Sequence, residues 1–199
     1  MYYQRMHDMK VYFTAPEDGK RLFSGYYKRI YRILQEFGGQ HVDDSVIAPF
    51  DINLAHQLEI GDADTYAQIY HRHLKCLKEA DVAVFECSFT STALGVLIEK
   101  ALELGKPTIG LYYDNNPPHF IMAIHNPKFI VKSYDDDNLS DTISLSLQSI
   151  KHNMDRRFNF FISPDLLEYV KTQSTSRNIT KSAFIRELIL HHRSGRYQE

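Results

Sequence analysis

Residues 80–113 read ADVAVFECSFTSTALGVLIEKALELGKPTIGLYY, and this stretch decides the fold. Residues 81–87 form an apolar run of the length of a buried strand, and residues 108–113 form a second one. Between them lie a turn rich in Ser and Thr, a helical pattern over residues 95–104 and a Gly-Lys-Pro terminator. Parallel strands need a crossover connection of this kind. The stretch therefore predicts a parallel sheet with a functional site at the carboxyl ends of its strands.

The flanking sequence continues the alternation of strands and helices. Further strands are predicted over residues 10–14, 41–48 and 129–134, and further helices over residues 22–37, 65–79 and 139–150. This order predicts an α/β fold over residues 1–150, a doubly wound parallel sheet of the flavodoxin or Rossmann type. The loops expected at the carboxyl ends of the strands, 14–20, 88–95 and 114–126, are rich in hydroxyl, amide, Gly or Pro residues.

Composition limits the class of protein. The chain has 199 residues, of which 43% are hydrophobic and 24% charged, so a packed core is expected. No apolar run reaches the roughly 20 residues of a membrane span, and the N-terminus lacks an apolar signal core, which predicts a cytoplasmic protein without a membrane partner. Cys76 and Cys87 are predicted to be reduced core thiols. His71 and His73 are two apart on a predicted helix and diverge, so no metal site is predicted.

The last fifty residues have a different character. Residues 151–199 carry nine Lys or Arg and five acidic residues, a balance of +4, although the whole chain carries −2. Residues 157–162 alternate as a strand does, and two helical patterns follow, from Ser163 to about Ser176 and over residues 181–192. Such a short segment cannot bury a core alone, and a single strand needs a partner. We therefore expect a homodimer or a higher even-numbered oligomer, with this basic segment as a candidate for binding a polyanion.

Three motifs in the first domain resemble those of the nucleoside 2-deoxyribosyltransferase and deoxynucleotide N-glycosidase superfamily. They are VYF at residues 11–13, ADVAVFE at 80–86 and GVLIEKALELGKP at 95–107; IHNPKFIVKSYDD at 124–136 resembles the last strand of that superfamily less strongly. The resemblance implies cleavage or transfer of the N-glycosidic bond of a nucleoside or nucleotide. It implies no cofactor and no metal.

The resemblance also assigns candidate catalytic residues. Glu99 matches the glutamate that attacks the anomeric carbon, and a carboxylate near a helix N-terminus is held ionised by the helix dipole. Its alternative is a glutamate that merely favours the first turns of a solvated helix. Tyr12 matches a tyrosine of that superfamily that orients the nucleophile. Its alternative is an ordinary aromatic residue of a strand. His73 stands where the superfamily usually has an aspartate, and could bind a sugar hydroxyl or protonate the leaving base, since histidine titrates near neutrality.

Candidate substrate-binding residues lie on the two loops that meet at the site, and they are Thr14, Asp18, Gly19, Ser91, Thr92 and Gly95. Members specific for monophosphates place a serine just ahead of Gly-Val and another on a neighbouring loop; here Ala93 and residues 119–122 stand at those positions. A 5′-phosphate requirement is therefore not predicted. The hydroxyls at Ser88, Thr90, Ser91 and Thr92 could nevertheless hold an anion near the start of the helix.

The segment NITKSAFIRELI at residues 178–189 resembles the second helix of a ribbon-helix-helix DNA-binding domain, which is expected here over residues 156–199. The resemblance implies that Arg157, Asn159 and Phe161 face the major groove of DNA, and that Lys181 and Ser182 lie where backbone amides hold a phosphate. The alternative is a dimerisation clasp that binds no DNA.

The predicted function is cleavage or transfer of an N-glycosidic bond through a glutamate nucleophile, linked to a tail that dimerises the protein and brings it to DNA. By analogy, such a combination fits a regulatory or phage-defence role. Two alternatives are kept. One is a non-catalytic, nucleotide-sensing, DNA-binding transcriptional regulator, and the other is a catalytic domain with a purely oligomerising tail.

Overall fold

The computed structural model describes residues 9–53, 56, 60–61, 63–114, 116–153 and 160–195. The chain divides into two compact units, Met1–Asp155 and Arg156–Glu199.

The first unit is built on a five-stranded, all-parallel sheet. Its strands are β1 Met9–Thr14, β2 Gly39–His41, β3 Val82–Glu86, β4 Thr108–Tyr113 and β5 Phe129–Tyr134. Their order across the sheet is β2-β1-β3-β4-β5. The predicted parallel sheet is confirmed. The strand order reverses between β1 and β3, and in open sheets of this kind ligands bind in the crevice beyond the carboxyl ends of the strands at that reversal.

Helices cover both faces of the sheet. They are α1 Lys20–Glu36, α2 Ala63–Glu79, α3 Thr92–Glu103, α4 His119–Met122 and α5 Leu139–Asn153. Because successive strand residues point to opposite faces, Val11 and Phe13 of β1 lie in the core that α1 and α5 cover, whereas Tyr12 lies in the core beneath α2 and α3. The apolar strands of the sequence are thus buried on both sides, as a doubly wound sheet requires.

The second strand is shorter than predicted, because only residues 39–41 pair with β1 and the prediction over 41–48 is wrong beyond His41. Residues 45–47 form a 3-10 turn instead. Local polar contacts explain it: the Ser45 hydroxyl donates to Asp43 (2.5 Å), and the ammonium of buried Lys20 donates to the Ser45 carbonyl (2.9 Å) while pairing with Glu17 (2.8 Å). These contacts satisfy the backbone in a turn and compete with a strand.

The central helix begins three residues earlier than predicted. The Ser91 hydroxyl accepts the backbone N–H of Leu94 (3.3 Å), so α3 starts at Thr92 rather than Gly95. A serine with an extended backbone is a favoured helix N-cap. The cap at Ser91 therefore decides where α3 begins, rather than Gly95. The short helix α4 was not predicted at all.

The second unit contains α6 Pro164–Ser176 and α7 Lys181–Arg193, and both predicted helices are confirmed. Each helix has a side-chain N-cap, since the Ser163 hydroxyl accepts from Leu166 N (3.5 Å) and the Thr180 hydroxyl from Ala183 N (3.1 Å). Phe184 is buried at their junction, with its ring 6.2 Å from that of Tyr169.

The strand predicted over residues 157–162 lies partly outside the described residues, which begin again at Phe160. Over the described part, residues 160–162, there is no strand, and the prediction is wrong there. A strand requires a hydrogen-bonding partner, and a single copy of this segment offers none.

Candidate active-site cleft

A cleft of about 890 Å³ opens at the carboxyl end of β3. One wall is the segment from Cys87 to Ser91 together with the first turns of α3, and the other is the segment from Asn116 to Ile124. The cleft thus lies at the edge of the sheet where the parallel topology predicts a site. Its lining combines hydroxyl groups with apolar side chains: Ser88, Thr90, Ser91, Thr92, Phe89, Val96, Phe120, Ile121 and Ile124.

Glu99 is an exposed residue of α3 and lines this cleft. Gly95 precedes it by four residues and therefore lies on the same face of the helix. Gly95 leaves this face open, because a β-carbon there would have no neighbour within 4 Å. Lys100 also lines the cleft, but its ammonium donates to Glu103 (2.6 Å). The arrangement gives a solvent-accessible carboxylate room to meet a bound molecule.

The position of Glu99 within its helix corrects one sequence argument. Since α3 begins at Thr92, Glu99 is its eighth residue and lies about two turns from the N-terminus. The field of the helix dipole falls off within the first turn, so the argument from the helix dipole does not apply to Glu99.

Tyr12 and His73, the other two candidate catalytic residues, meet each other rather than the cleft. The Tyr12 hydroxyl lies 2.6 Å from Nδ1 of His73, which projects from α2. Tyr12 is completely buried, and its ring also packs edge-on against Phe85. Neither Tyr12 nor His73 is among the residues that line the cleft. The structure thus pairs two of the three candidates and leaves Glu99 apart from them.

His73 does not titrate near neutrality, and that expectation is wrong. Burial, aided by the neighbouring Arg72 guanidinium, lowers its pKa to about 4. Burial also raises the pKa of Tyr12 well above its ordinary value, so the tyrosine keeps its proton. Both groups are therefore uncharged, and the hydrogen bond that joins the Tyr12 hydroxyl to Nδ1 takes its direction from the tautomer of the imidazole.

The loop after β1 carries the predicted residues Thr14, Asp18 and Gly19. Thr14 and Gly19 are buried, and Asp18 is exposed. Gly19 lies so close to the loop after β3 that a β-carbon at residue 19 would stand 3.1 Å from the β-carbon of Phe89. Phe89 lines the cleft, so the two loops at the topological switch point are in contact at its edge.

Glu86 was missed by the sequence reasoning. It is the last residue of β3, its side chain is completely buried, and it lies directly before the segment that lines the cleft. Its signal was available in the motif ADVAVFE, where one carboxylate ends an otherwise apolar strand. Buried carboxylates are rare unless they are paired, and they mark positions with a specific role.

The residues predicted to contact DNA are only partly described. Arg157 and Asn159 lie outside the described residues. Phe161 is fully exposed, with a relative accessibility of 107%. Lys181 and Ser182 are exposed at the start of α7.

Two absences concern only the part of the chain that the structure describes. In those ranges no helix is long and apolar enough to cross a membrane. The same ranges contain no group of three or more His, Cys, Asp or Glu side chains that could hold a metal ion. Cys76 and Cys87 are both buried and free.

The fold and the cleft define an α/β protein with a carboxylate-bearing site at the carboxyl ends of the strands of a parallel sheet. The chain is 34% identical over 107 residues, 52% of its own length and 67% of the other's, to a protein of Thermofilum pendens provisionally named 2′-deoxynucleoside 5′-phosphate N-hydrolase 1. A Nematostella vectensis protein with the same provisional name is 28% identical over 141 residues, 67% of this chain and 90% of the other. The chain belongs to the 2′-deoxynucleoside 5′-phosphate N-hydrolase family.

A further relative is the 5-hydroxymethyl-dUMP N-hydrolase of Mus musculus, which is 31% identical over 105 residues, 51% of this chain and 56% of the mouse protein. Among solved structures, the CMP N-glycosidase BcmB of Clostridium botulinum is 14% identical, covers 70% of this chain and 97% of its own, and superimposes with a TM-score of 0.44. No family model matches the chain. The Thermofilum pendens, Nematostella vectensis and Mus musculus proteins all carry names of N-hydrolases, so the predicted enzyme class is confirmed.

Proposed function

We propose that this protein hydrolyses the N-glycosidic bond of a 2′-deoxynucleoside 5′-monophosphate, with Glu99 as the nucleophile. The observation that carries the proposal is the exposure of Glu99 within the cleft at the carboxyl end of β3. The names of the relatives support the bond and the substrate class. The apolar wall at Phe89, Phe120 and Ile121 suits a flat base, and the hydroxyl-rich wall suits a sugar phosphate.

The proposed reaction has two steps. A carboxylate oxygen of Glu99 attacks C1′ of the sugar, and the bond from C1′ to the base nitrogen breaks with its electron pair leaving on the base. Water then attacks C1′ of the glycosyl ester, the ester bond breaks, and the Glu99 carboxylate is regenerated. One proton of that water ends on the base and its hydroxyl on the sugar, so nucleotide and water give free base and sugar 5-phosphate.

The start of α3 is the proposed phosphate site. The N–H groups of Thr92 and Ala93, its first two residues, have no acceptor within the helix, and the positive end of the helix dipole favours an anion there. The cleft is also lined by the side chains of Thr90 and Thr92. These hydroxyls offer an alternative to the serine that Ala93 replaces. The names of the relatives favour a substrate with a 5′-phosphate, although Ala93 stands where the motif of monophosphate-specific members has a serine.

For Tyr12 and His73 we propose a role in placing the sugar. Neither residue lines the cleft, so this role requires the sugar to extend beyond the cleft towards α2. Because His73 is neutral, it would there form a hydrogen bond with a sugar hydroxyl and would not protonate the base at neutral pH. Tyr12 fixes the orientation of the ring through the 2.6 Å hydrogen bond to Nδ1. Thr14, Asp18 and Gly19 keep their proposed place on the sugar-facing loop.

A substrate panel tests the activity. The protein is incubated with the common deoxynucleosides and with their 5′-monophosphates, and free base and sugar phosphate are separated by chromatography. We expect base release from at least one monophosphate and much less from the matching nucleoside. Release of base from nucleosides alone would overturn the phosphate preference. Nucleotide binding without any base release would instead favour the nucleotide-sensing regulator.

For the second unit we propose a ribbon-helix-helix module over residues 156–199 that dimerises the chain and binds DNA. Its support is the surplus of basic residues over acidic ones, nine against five in residues 151–199. Further support comes from exposed large apolar side chains that a second copy could cover: Phe160, Phe161, Leu166, Leu167, Ile189 and Leu190. Burial of such a set between two chains would enlarge the small core formed around Phe184.

Two measurements test this module. The mass of the full chain and of a chain ending at residue 155 is measured by sedimentation, and a dimer that persists after truncation would exclude dimerisation through the tail. DNA binding is measured at several salt concentrations for the full chain, Arg157→Ala and the control Arg193→Ala. We expect Arg157→Ala to weaken binding more than its control does. DNA binding that is unchanged by truncation would contradict a DNA-binding role of the tail and leave oligomerisation as its only proposed role.

A further inference from the structure

Glu86 lies at the centre of a buried polar cluster behind the cleft. Three donors converge on its Oε1 atom: the Ser88 backbone N–H (3.2 Å), the Ser88 hydroxyl and the Tyr134 hydroxyl (3.0 Å). The Ser88 hydroxyl oxygen also accepts the backbone N–H of Tyr113 (2.7 Å). Ser88 is therefore tied both to the end of its own strand and to the end of β4.

The second carboxyl oxygen of Glu86, Oε2, accepts no such hydrogen bonds. Glu86 Oε2 and the Tyr27 hydroxyl are buried, and neither completes a hydrogen bond of good geometry. Tyr27 is nevertheless close enough to act electrostatically on Glu86. The Tyr27 hydroxyl also touches Gly19, since a β-carbon there would lie 2.1 Å from it. The cluster thus joins the loop after β1 to the loop after β3.

The ionisable groups that act on Glu86 come from three elements. Tyr27 faces it from α1, Tyr134 faces it from β5, and Cys87 follows it in the chain. All three are uncharged when protonated, and burial dominates: it raises the pKa of Glu86 to about 7, although the donors at Ser88, Tyr134 and Tyr27 act in the opposite direction. The proton of Glu86 is therefore exchanged in the range in which enzymes work.

We propose that Glu86 is a positioning residue, whose carboxylate form holds the Ser88–Thr92 segment in its active arrangement and whose protonated form loosens it. The inference rests on the proposed function, because the segment matters through the cleft and through α3, which carries Glu99. A carboxylate accepts both hydrogen bonds from Ser88 with the help of its charge, and such bonds are about twice as strong as neutral ones. Protonation removes that charge and weakens the anchor.

Loosening of the Ser88–Thr92 segment would change the cleft rather than the hydrophobic core. All five residues of this segment line the cleft, and its fourth residue, Ser91, is the cap that starts α3. A looser Ser88 would change the position of the hydroxyl-rich wall and of the first turn of α3. Glu86 itself does not line the cleft, so it acts through Ser88 and is not a catalytic residue.

The test is the pH profile of kcat for the full-length protein. With Glu86 ionising near pH 7, we expect kcat to rise about tenfold between pH 6 and pH 8. Glu86→Gln keeps the shape without the charge, and should remove this rise and keep kcat low at pH 8. Tyr134→Phe removes one donor from Oε1 and should shift the rise to higher pH, which a purely structural role would not do. A rise that is the same in all three proteins would overturn the proposal.

A second readout separates this proposal from the proposed reaction. Hydrogen exchange of the amides in residues 88–92, corrected for the intrinsic pH dependence, should be faster at pH 6 than at pH 8 in wild type and insensitive to pH in Glu86→Gln. If wild type releases no base but shows this change in hydrogen exchange, the proposed reaction is contradicted and the proposed role of Glu86 is supported. If base is released and hydrogen exchange is insensitive to pH in wild type, the proposed role of Glu86 is contradicted and the proposed reaction is not. Should Glu86→Gln not fold, Tyr134→Phe decides, because an unshifted profile and unshifted exchange would overturn the proposal.

Discussion

The hydroxyl of Tyr12 in β1 lies 2.6 Å from Nδ1 of His73 in α2, and this contact joins a fully buried strand residue to a half-buried helix residue. Burial and the Arg72 guanidinium act in the same direction, and the pKa of His73 is lowered to about 4. His73 is thus an uncharged partner of Tyr12 over the whole range near neutrality.

We predict that the imidazole of His73 does not titrate until about pH 4, whereas Arg72→Gln, which removes the cationic neighbour that adds to the effect of burial, raises its pKa part of the way towards 6.5. The chemical shift of the imidazole C2 proton, followed by NMR, measures both. Since the unfolded chain binds this proton at higher pH than the folded chain, the contribution of His73 to stability is present above pH 6.5 and is lost as the pH falls towards 4. His71→Gln on the same helix is the matched control, and should leave the titration of His73 unchanged.

Two carboxylates of α3 give a matched pair for the nucleophile. Glu99 lines the cleft, whereas Glu103 lies one turn later, outside it, and pairs with Lys100 at 2.6 Å. We predict that Glu99→Gln lowers kcat by on the order of 10³-fold or more, as expected when a nucleophile is lost. Glu103→Gln should change kcat by less than about twofold, because an exposed ion pair contributes little. Equal effects of the two substitutions would remove Glu99 from its proposed role.

The sequence was informative where apolar pattern and local capping agree. The strands at residues 108–113 and 129–134 coincide with β4 and β5, because a short apolar run between turn signals has few alternatives. The pattern was less informative where polar side chains compete with the backbone, as at Ser45 and Ser91. Glu86 and the pair Tyr12–His73 depend on contacts between residues far apart in sequence. No periodicity reports such contacts.

Gly19 and Gly25 give a matched pair for the contact between the two site loops. A β-carbon at Gly19 would lie 2.1 Å from the hydroxyl of buried Tyr27, whereas one at Gly25, within α1, would have no neighbour within 4 Å. We predict that Gly19→Ala lowers the free energy of unfolding by about 1 to 3 kcal/mol, since the close neighbour Tyr27 is completely buried. Gly25→Ala should raise it by about 0.5 to 1 kcal/mol through helix propensity.

Urea unfolding followed by circular dichroism measures both glycine variants, since the chain contains no Trp for fluorescence. Adding Tyr27→Phe to Gly19→Ala removes the clashing oxygen and should restore part of the loss. Failure of the double variant to recover would place the strain elsewhere, at the Pro16 carbonyl or the Phe89 β-carbon, each 3.1 Å from the added atom.

The buried carboxyl of Glu86 makes stability depend on pH in the direction opposite to His73. Burial raises the pKa of Glu86 from 4.5 to about 7, so the folded chain binds this proton more tightly than the unfolded chain does. Stability is therefore greatest while Glu86 is protonated, and it falls as the pH rises from about 4.5 through 7. Between pH 5 and pH 8 we predict a loss of roughly 2 to 3 kcal/mol in wild type relative to Glu86→Gln.

Urea unfolding of both proteins at the two pH values isolates this difference, because His73 and every other group are common to both. A difference in the free energy of unfolding that does not change with pH would mean that Glu86 is not the group that titrates. The ionised form that is proposed to hold Ser88 for activity is the form that costs stability. A buried charge retained at such a cost is expected at a functional site, where strain is tolerated because the surrounding structure holds it in place.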